Sequence, residues 1–176
     1  MTRVANRLRF EPLRVEHAAE LFDVFRPPEL YRFIPEKPPA SLQAMEDDFK
    51  HFIGGPPEDS GEVWLNWAIL ERGQSAYVGT LQATVFSDGV LWIGYKLGPP
   101  HWGKGIATEG VRWLSRELQS RYPKLAIHAS VDIRNEASIR VLTKVGFELA
   151  RREPAELHGQ ESEDYIFVLP APALTI

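Results

Sequence analysis

The chain has 176 residues, 44% hydrophobic and 25% charged, a size at which one domain buries most of its surface. Its formal charge is −4, from 20 Lys and Arg against 24 Asp and Glu, so no basic field draws it to nucleic acid. It has no cysteine, no histidine pair at metal-ligand spacing, no signal-type apolar core and no run of about 18 apolar residues, so a cytoplasmic protein with no disulfide, no metal and no membrane span is expected.

In chain order, residues 7–14 read as a strand and 15–26 as a helix ended by Pro27-Pro28, followed by a proline-rich loop over 29–40. Ser41 caps a second helix over Leu42–Ile53, which Gly54-Gly55-Pro56-Pro57 stops. After a polar loop at 58–62, the segments Val63–Glu71, Tyr77–Phe86 and Val90–Leu97 read as strands. Arg72-Gly73 and Ser87-Asp88-Gly89 are their turns, which predicts an antiparallel meander. Trp64 and Trp67 are three apart on the first of these strands and so face opposite ways. A helix follows over 105–122, with Ala107, Val111, Leu114, Leu118 and Tyr122 as its apolar stripe. Then come a strand at 124–131, a helix at 136–145 capped by Asn135 or its neighbour and closed by Gly146, a strand at 147–153 and a last strand at 164–169. No repeat or low-complexity segment interrupts the chain, and a single domain over 1–176 is expected.

The segment Gly98-Pro-Pro-His-Trp-Gly-Lys-Gly-Ile-Ala-Thr-Glu-Gly110 joins a strand to a helix through a glycine-rich turn. Such a turn aims free backbone N–H groups, backed by the positive end of the helix dipole, at one point that suits a phosphate. Gly98 to Lys104 fits the first seven places of a P-loop, but Gly105 stands where a Ser or Thr would hold magnesium. A dinucleotide fingerprint also fails, because Thr108 stands where its third glycine belongs. From Gly103 onward, Trp102-Gly-Lys-Gly-Ile-Ala107 resembles the pyrophosphate loop of the GNAT acetyltransferases, Arg/Gln-x-x-Gly-x-Gly/Ala. Its tryptophan is similar to the branch of ribosomal-protein N-terminal (alanine/serine) acetyltransferases. Downstream, Asn135-Glu-Ala-Ser138-Ile-Arg-Val-Leu-Thr-Lys-Val-Gly146-Phe147 resembles the second signature of that branch. More loosely, Arg7–Phe22 resembles its opening strand and helix.

The resemblance covers about residues 6–170. It implies an α+β GNAT fold with a mixed, mostly antiparallel sheet of about seven strands and about four helices. It also implies acetyl-CoA as co-substrate and a primary amine of a protein N-terminus or small molecule as acceptor. By the same resemblance, Trp102, Gly103, Lys104, Gly105, Ile106, Ala107 and Thr108 hold the pyrophosphate. The backbone of Tyr95, Lys96 and Leu97 pairs with the pantetheine arm, and Asn135 touches that arm. Many relatives place a tyrosine seven residues after the asparagine, but Leu142 stands there and donates no proton. Ser138 is then the candidate proton donor to the leaving thiolate, with a bond inside its own helix turn as the other reading.

Glu109 matches a glutamate of the signature and is a candidate base, although the helix N-terminus favours its charged form and makes it a poorer one. Glu36, Asp88, Glu163, Asp164 and His128 are further candidates, and no spacing selects among them. The lack of an obvious base points to an easily deprotonated acceptor. An α-amine of pKa about 7.7–8.0 is roughly a fifth neutral near neutral pH, whereas a lysine amine near 10.4 is about a thousandth neutral. The loop 29–40 is expected to cover the acceptor site. Tyr31 and Phe33 are candidate walls of that site, Phe33 better suited to a plain hydrophobic plug. A CoA-binding module without catalysis and a P-loop nucleotide binder remain as alternatives.

Overall fold

In the computed structural model, which describes residues 7–173, seven strands form one sheet. They are β1 (Leu8–Pro12), β2 (Val63–Glu71), β3 (Ala76–Val85), β4 (Leu91–Leu97), β5 (Ile127–Asp132), β6 (Glu148–Leu157) and β7 (Gln160–Leu169), in the order β1-β2-β3-β4-β5-β7-β6. Every neighbouring pair is antiparallel except β4 and β5. The helices are α1 (His17–Leu21), α2 (Leu42–Gly54), α3 (Ile106–Arg121) and α4 (Glu136–Val145). This is the α+β architecture the sequence predicts. Among the described residues no helix is long and apolar enough to cross a membrane.

The period-two alternation of the central strands divides the side chains between two cores. On one face Trp67, Leu81, Leu114, Leu118 and Leu142 pack beneath α3 and α4. On the other, Leu21, Phe25, Met45, Phe49 and Ala68 pack with α1 and α2. The two tryptophans separate as their spacing requires. Trp67 meets Trp113 edge-on in the first core, and Trp64 meets His51 of α2 on the opposite face. The predicted caps also form: Ser41 Oγ accepts from Ala44 N at 3.0 Å, and Asn135 Oδ1 accepts from Ser138 N at 3.2 Å. Gly146 closes α4 in the left-handed region, at φ 109°.

Two stretches differ from the sequence reading. The helix expected over 15–26 is regular only over α1 and then loosens into turns, Phe25 N still reaching Leu21 O at 3.0 Å. Pro27 disfavours helical geometry at Arg26, and the Phe25 ring is drawn into the second core. The strands expected at 147–153 and 164–169 are longer and form one continuous hairpin, β6 with β7. Its turn is His158-Gly159, both at positive φ, 52° and 75°. Residues 154–163, with Pro154 and a run of charges, read as loop in the sequence. β6 is an edge strand, where proline is tolerated and charges stay in water.

The parallel pair is short. β4 and β5 meet only at Leu91 opposite Ile127 and Trp92 opposite His128. Beyond Trp92 β4 stays with β3, β5 stays with β7, and a fork opens between them. Close approach at Gly79 fixes the outer end of β4. A Cβ at Gly79 would lie 2.2 Å from Lys96 O. Gly79→Ala is therefore expected to lower stability by about 1–3 kcal/mol through overpacking. Gly73→Ala, with nothing within 4 Å, should stay within about 0.5 kcal/mol of wild type. Urea unfolding of the two variants checks this, and equal stabilities would contradict the tight approach at Gly79.

Candidate active site

The fork is the centre of the site. Phe86 N donates to Val90 O and Gly98 N to Val78 O, each at 2.9 Å, which sets the hydrogen-bond phase of the β3–β4 pair. By alternation, even-numbered residues of β4 turn their backbone groups to β3, and odd-numbered ones turn them to the fork. Tyr95 and Leu97 thus offer their backbone to the open side, as expected. Lys96 does not: its backbone faces β3, in register with Thr80, and only its side chain enters the site. The Leu97 carbonyl already accepts from the Trp102 indole N–H at 2.7 Å. Trp102 therefore braces the loop against the end of β4 while remaining 46% exposed.

The loop after β4 has the geometry its glycines predict. Gly103 and Gly105 both lie in the left-handed region, at φ 71° and 77°. Gly105 is the N-cap of α3 and no side chain caps the helix, so the first N–H groups, at Ile106, Ala107 and Thr108, point out of its end. Gly98 belongs to a separate 3-10 turn, Pro99–His101, so Gly98 to Lys104 does not wrap as a P-loop. Arg7, at the entry to β1, ties the loop down: its Nη1 donates to Lys104 O at 3.0 Å. Its Nη2 lies 3.2 Å from Glu109 Oε2. Glu109 thus sits in the first turn of α3 as the partner of Arg7, and it is not among the residues that line the cavity described next.

A cavity of about 290 Å³ runs through the fork, from Ser138 and Leu142 of α4 to Phe33 and Glu36 of the proline-rich loop. At its α4 end the Tyr95 hydroxyl lies 2.5 Å from Ser138 Oγ and 3.3 Å from Ser138 O. Burial pushes the Tyr95 phenol up to about 12, with the Ser138 hydrogen bond acting in the opposite direction. The sequence reading assigned only the backbone of Tyr95 and missed its side chain. A hydroxyl, which Leu142 lacks, stands here from β4, lining the same cavity as the fully buried Leu142. Asn135 is occupied as the cap of α4, its Oδ1 accepting from Ser138 N, and so orients Ser138.

At the other end, Lys96 Nζ lies 2.5 Å from Glu36 Oε2 and sits over the rings of Phe25 and Tyr31. The walls reverse the expectation for the loop. Phe33 lines the cavity, while Tyr31 is buried and donates its hydroxyl to Phe25 O at 2.8 Å.

The remaining candidate bases are held elsewhere. Asp88 accepts from Val90 N in its own turn, and Glu163 pairs with Arg152. His128 donates from Nδ1 to Leu91 O at 3.2 Å, since a carbonyl only accepts. Asp164 accepts from Ser130 Oγ at 2.5 Å, and Ser130 lines the cavity. No group of three or more His, Cys, Asp or Glu is placed to hold a metal among the described residues.

Comparison with known proteins agrees with this geometry. The family described as acetyltransferase (GNAT) domain matches residues 7–148. An uncharacterized N-acetyltransferase p20 of Bacillus licheniformis is 25% identical over 172 residues, 96% of this chain and 95% of that protein. Among solved structures, the ribosomal-protein-S5-alanine acetyltransferase of Vibrio fischeri superposes with a TM-score of 0.81 over 100% of both chains at 15% identity. A spermidine N-acetyltransferase of Vibrio cholerae, in complex with CoA and spermine, superposes with a TM-score of 0.74 at 14% identity, covering 95% of this chain and 97% of that one.

If Arg7 holds the glycine loop, removing its side chain should loosen the loop and leave the rest of α3 in place. Lys104 is exposed, so trypsin reports on this directly. Arg7→Ala is expected to raise the rate of cleavage after Lys104 several-fold. An unchanged rate would contradict the bracing role.

Proposed function

We propose that this chain, which belongs to the GNAT acetyltransferase family, moves the acetyl group of acetyl-CoA to the α-amine of a peptide or of a comparable small molecule. The observation that carries the reading is the fork between β4 and β5, with a half-buried hydroxyl pair at one end and a walled cavity at the other. A pantetheine arm fits the fork, because an extended chain adds to a free strand edge as one more strand would. Tyr95 and Leu97 supply the backbone groups for it. A pyrophosphate fits the loop, where the left-handed Gly103 and Gly105 and the uncapped end of α3 gather N–H groups from about Gly103 to Thr108.

Acetyl-CoA supplies the acetyl group, and the rest falls to the protein. A phenol held near 12 is too weak an acid to protonate outright a thiolate of ordinary pKa about 8.5. Tyr95 and Ser138 work as a relay instead. One hydroxyl passes its proton toward the sulfur while the proton shed by the attacking amine refills the pair. The C–N bond forms, the C–S bond breaks, and the amine proton ends on the thiol.

The acceptor class follows from what faces the cavity. Of the carboxylates among the described residues, only Glu36 lines it, and Lys96 holds that one at 2.5 Å. With no free strong base at hand, an amine that is substantially neutral near pH 7 is favoured, which selects an α-amine over a lysine side chain. The name of the Vibrio fischeri neighbour, a ribosomal-protein-S5-alanine acetyltransferase, supports the same acceptor, since alanine has no side-chain amine. The bound polyamine of the Vibrio cholerae neighbour is a poorer fit, since each ammonium asks for a carboxylate.

Release of free thiol from acetyl-CoA measures the reaction. A peptide with a free N-terminus and no lysine should show a higher kcat/KM than the same peptide N-blocked and carrying one lysine. The reverse preference would overturn the α-amine reading. In the same assay Tyr95→Phe and Ser138→Ala should each lower kcat by about 10²-fold or more with little change in the KM for acetyl-CoA. The double variant should fall no further, because the two hydroxyls form one relay. Losses that multiply would show two independent roles.

A further inference from the structure

We infer that Asn66 and Gln82 form a specificity rung that recognises the carbonyl or amide group beside the acceptor's amine. The preferred acceptor is then an α-amino amide or the first residue of a peptide, ahead of a simple alkylamine. The inference rests on the acetyl-transfer reading and assigns the acceptor chemistry of that same site.

Three strands place the rung. Asn66 of β2 is the register partner of Gln82 of β3, and Gln82 is the register partner of Gly94 of β4. Directly opposed residues of antiparallel strands share a face, so the two side chains stand together on the face that α1 and α2 cover. Gln82 is exposed although its strand lies inside the sheet, because it opens into the cavity, and Asn66 lines the same cavity. Gly94 leaves room for this arrangement: a Cβ there would lie 2.9 Å from Gln82 Nε2, and the Gln82 side chain would have to shift. The Gln82 amide therefore lies across β4 immediately before Tyr95, the residue that carries the hydroxyl pair.

The chemistry of the rung is that of two primary amides, each offering an acceptor oxygen and two N–H donors. This complements a peptide or carboxamide group and gives nothing to an ammonium that a water would not give. Beside the rung Phe25, Phe33, Phe49 and Phe52 form an apolar wall, and the charges of Lys96 and Glu36 are paired with each other. An acceptor that brings an amide to the rung and an apolar side chain to the phenylalanines satisfies both surfaces. An amine of the same shape without the amide covers the rung and leaves its polar groups unpaired, and such sites discriminate strongly against the analogue that lacks the partner group.

Calorimetry on the CoA-saturated protein tests this without turnover. The two probes are phenylalaninamide and 2-phenylethylamine, which share the ring and the primary amine and differ in the carboxamide; because the carboxamide also lowers the amine's pKa, each affinity is expressed per neutral amine. The wild type should bind phenylalaninamide at least tenfold more tightly. In Gln82→Met combined with Asn66→Leu the preference should fall below about threefold, while the weaker binding of 2-phenylethylamine persists and shows that the cavity is still formed. Gln82→Asn, which keeps an amide on a shorter arm, should retain part of the preference. Equal affinities in the wild type, or a full preference in the double variant, would overturn the inference. If phenylalaninamide binds with the expected preference but releases no thiol from acetyl-CoA, the rung stands and the transfer reading falls.

Discussion

Parting of β4 from β5 after Trp92 is the constraint on which the site depends. A sheet that stayed paired to its end would have no free strand edge, no cavity through its middle and no place for the Tyr95 ring to meet α4. The parting is held from both sides. On one side Gly79 lets β3 approach β4 so closely that Lys96 O sits where a Cβ would be. On the other, β5 pairs with β7 along its whole length, from Ile127 to Asp132. Across the gap, Tyr95 and Ser138 link strand to helix by a half-buried hydroxyl contact. Such a contact in a low-dielectric setting is stronger than in water and costly to leave unmade.

Around the fork, elements distant in sequence are joined by few contacts, each with a definite task. Arg7 reaches the glycine loop 97 residues away. Its exposed ion pair with Glu109 contributes little on its own, as surface pairs usually do. Its bond to the Lys104 carbonyl matters more, because it fixes the turn between two left-handed glycines. Trp102 ties the same turn to the last carbonyl of β4. Lys96 and Glu36 bridge the proline-rich loop to the sheet over the aromatic pair Phe25 and Tyr31. The proline-rich loop is therefore held by the Lys96–Glu36 pair, a set of rings, the Tyr31 hydroxyl on Phe25 O and the contact of His158 Nε2 with Tyr31 O.

Local chemistry made much of this legible in the sequence. The Ser41 and Asn135 caps, the Gly146 stop, the meander of β2, β3 and β4 and the left-handed glycines of the loop are all decided within a few residues. The pattern could be read because each choice is forced by short-range sterics and hydrogen bonding. Assignments decided by tertiary contact were not legible. Nothing local to Tyr95 told that Ser138 would lie opposite it, 43 residues on. The same limit hid the Lys96–Glu36 bridge and assigned Lys96 to the site by its backbone when its side chain is what enters. The β6–β7 hairpin was lost for another reason: an edge strand tolerates the proline and charges that mark a loop elsewhere.

The central claim is that β4 offers its free edge to the arm of the co-substrate. Amide hydrogen exchange with and without CoA measures this directly, residue by residue. CoA should slow exchange at Tyr95 and Leu97 and over Gly103 to Thr108. The even-numbered amides of β4, already paired to β3, should change little. Protection spread evenly along β4, or confined to a surface outside the fork, would contradict the account.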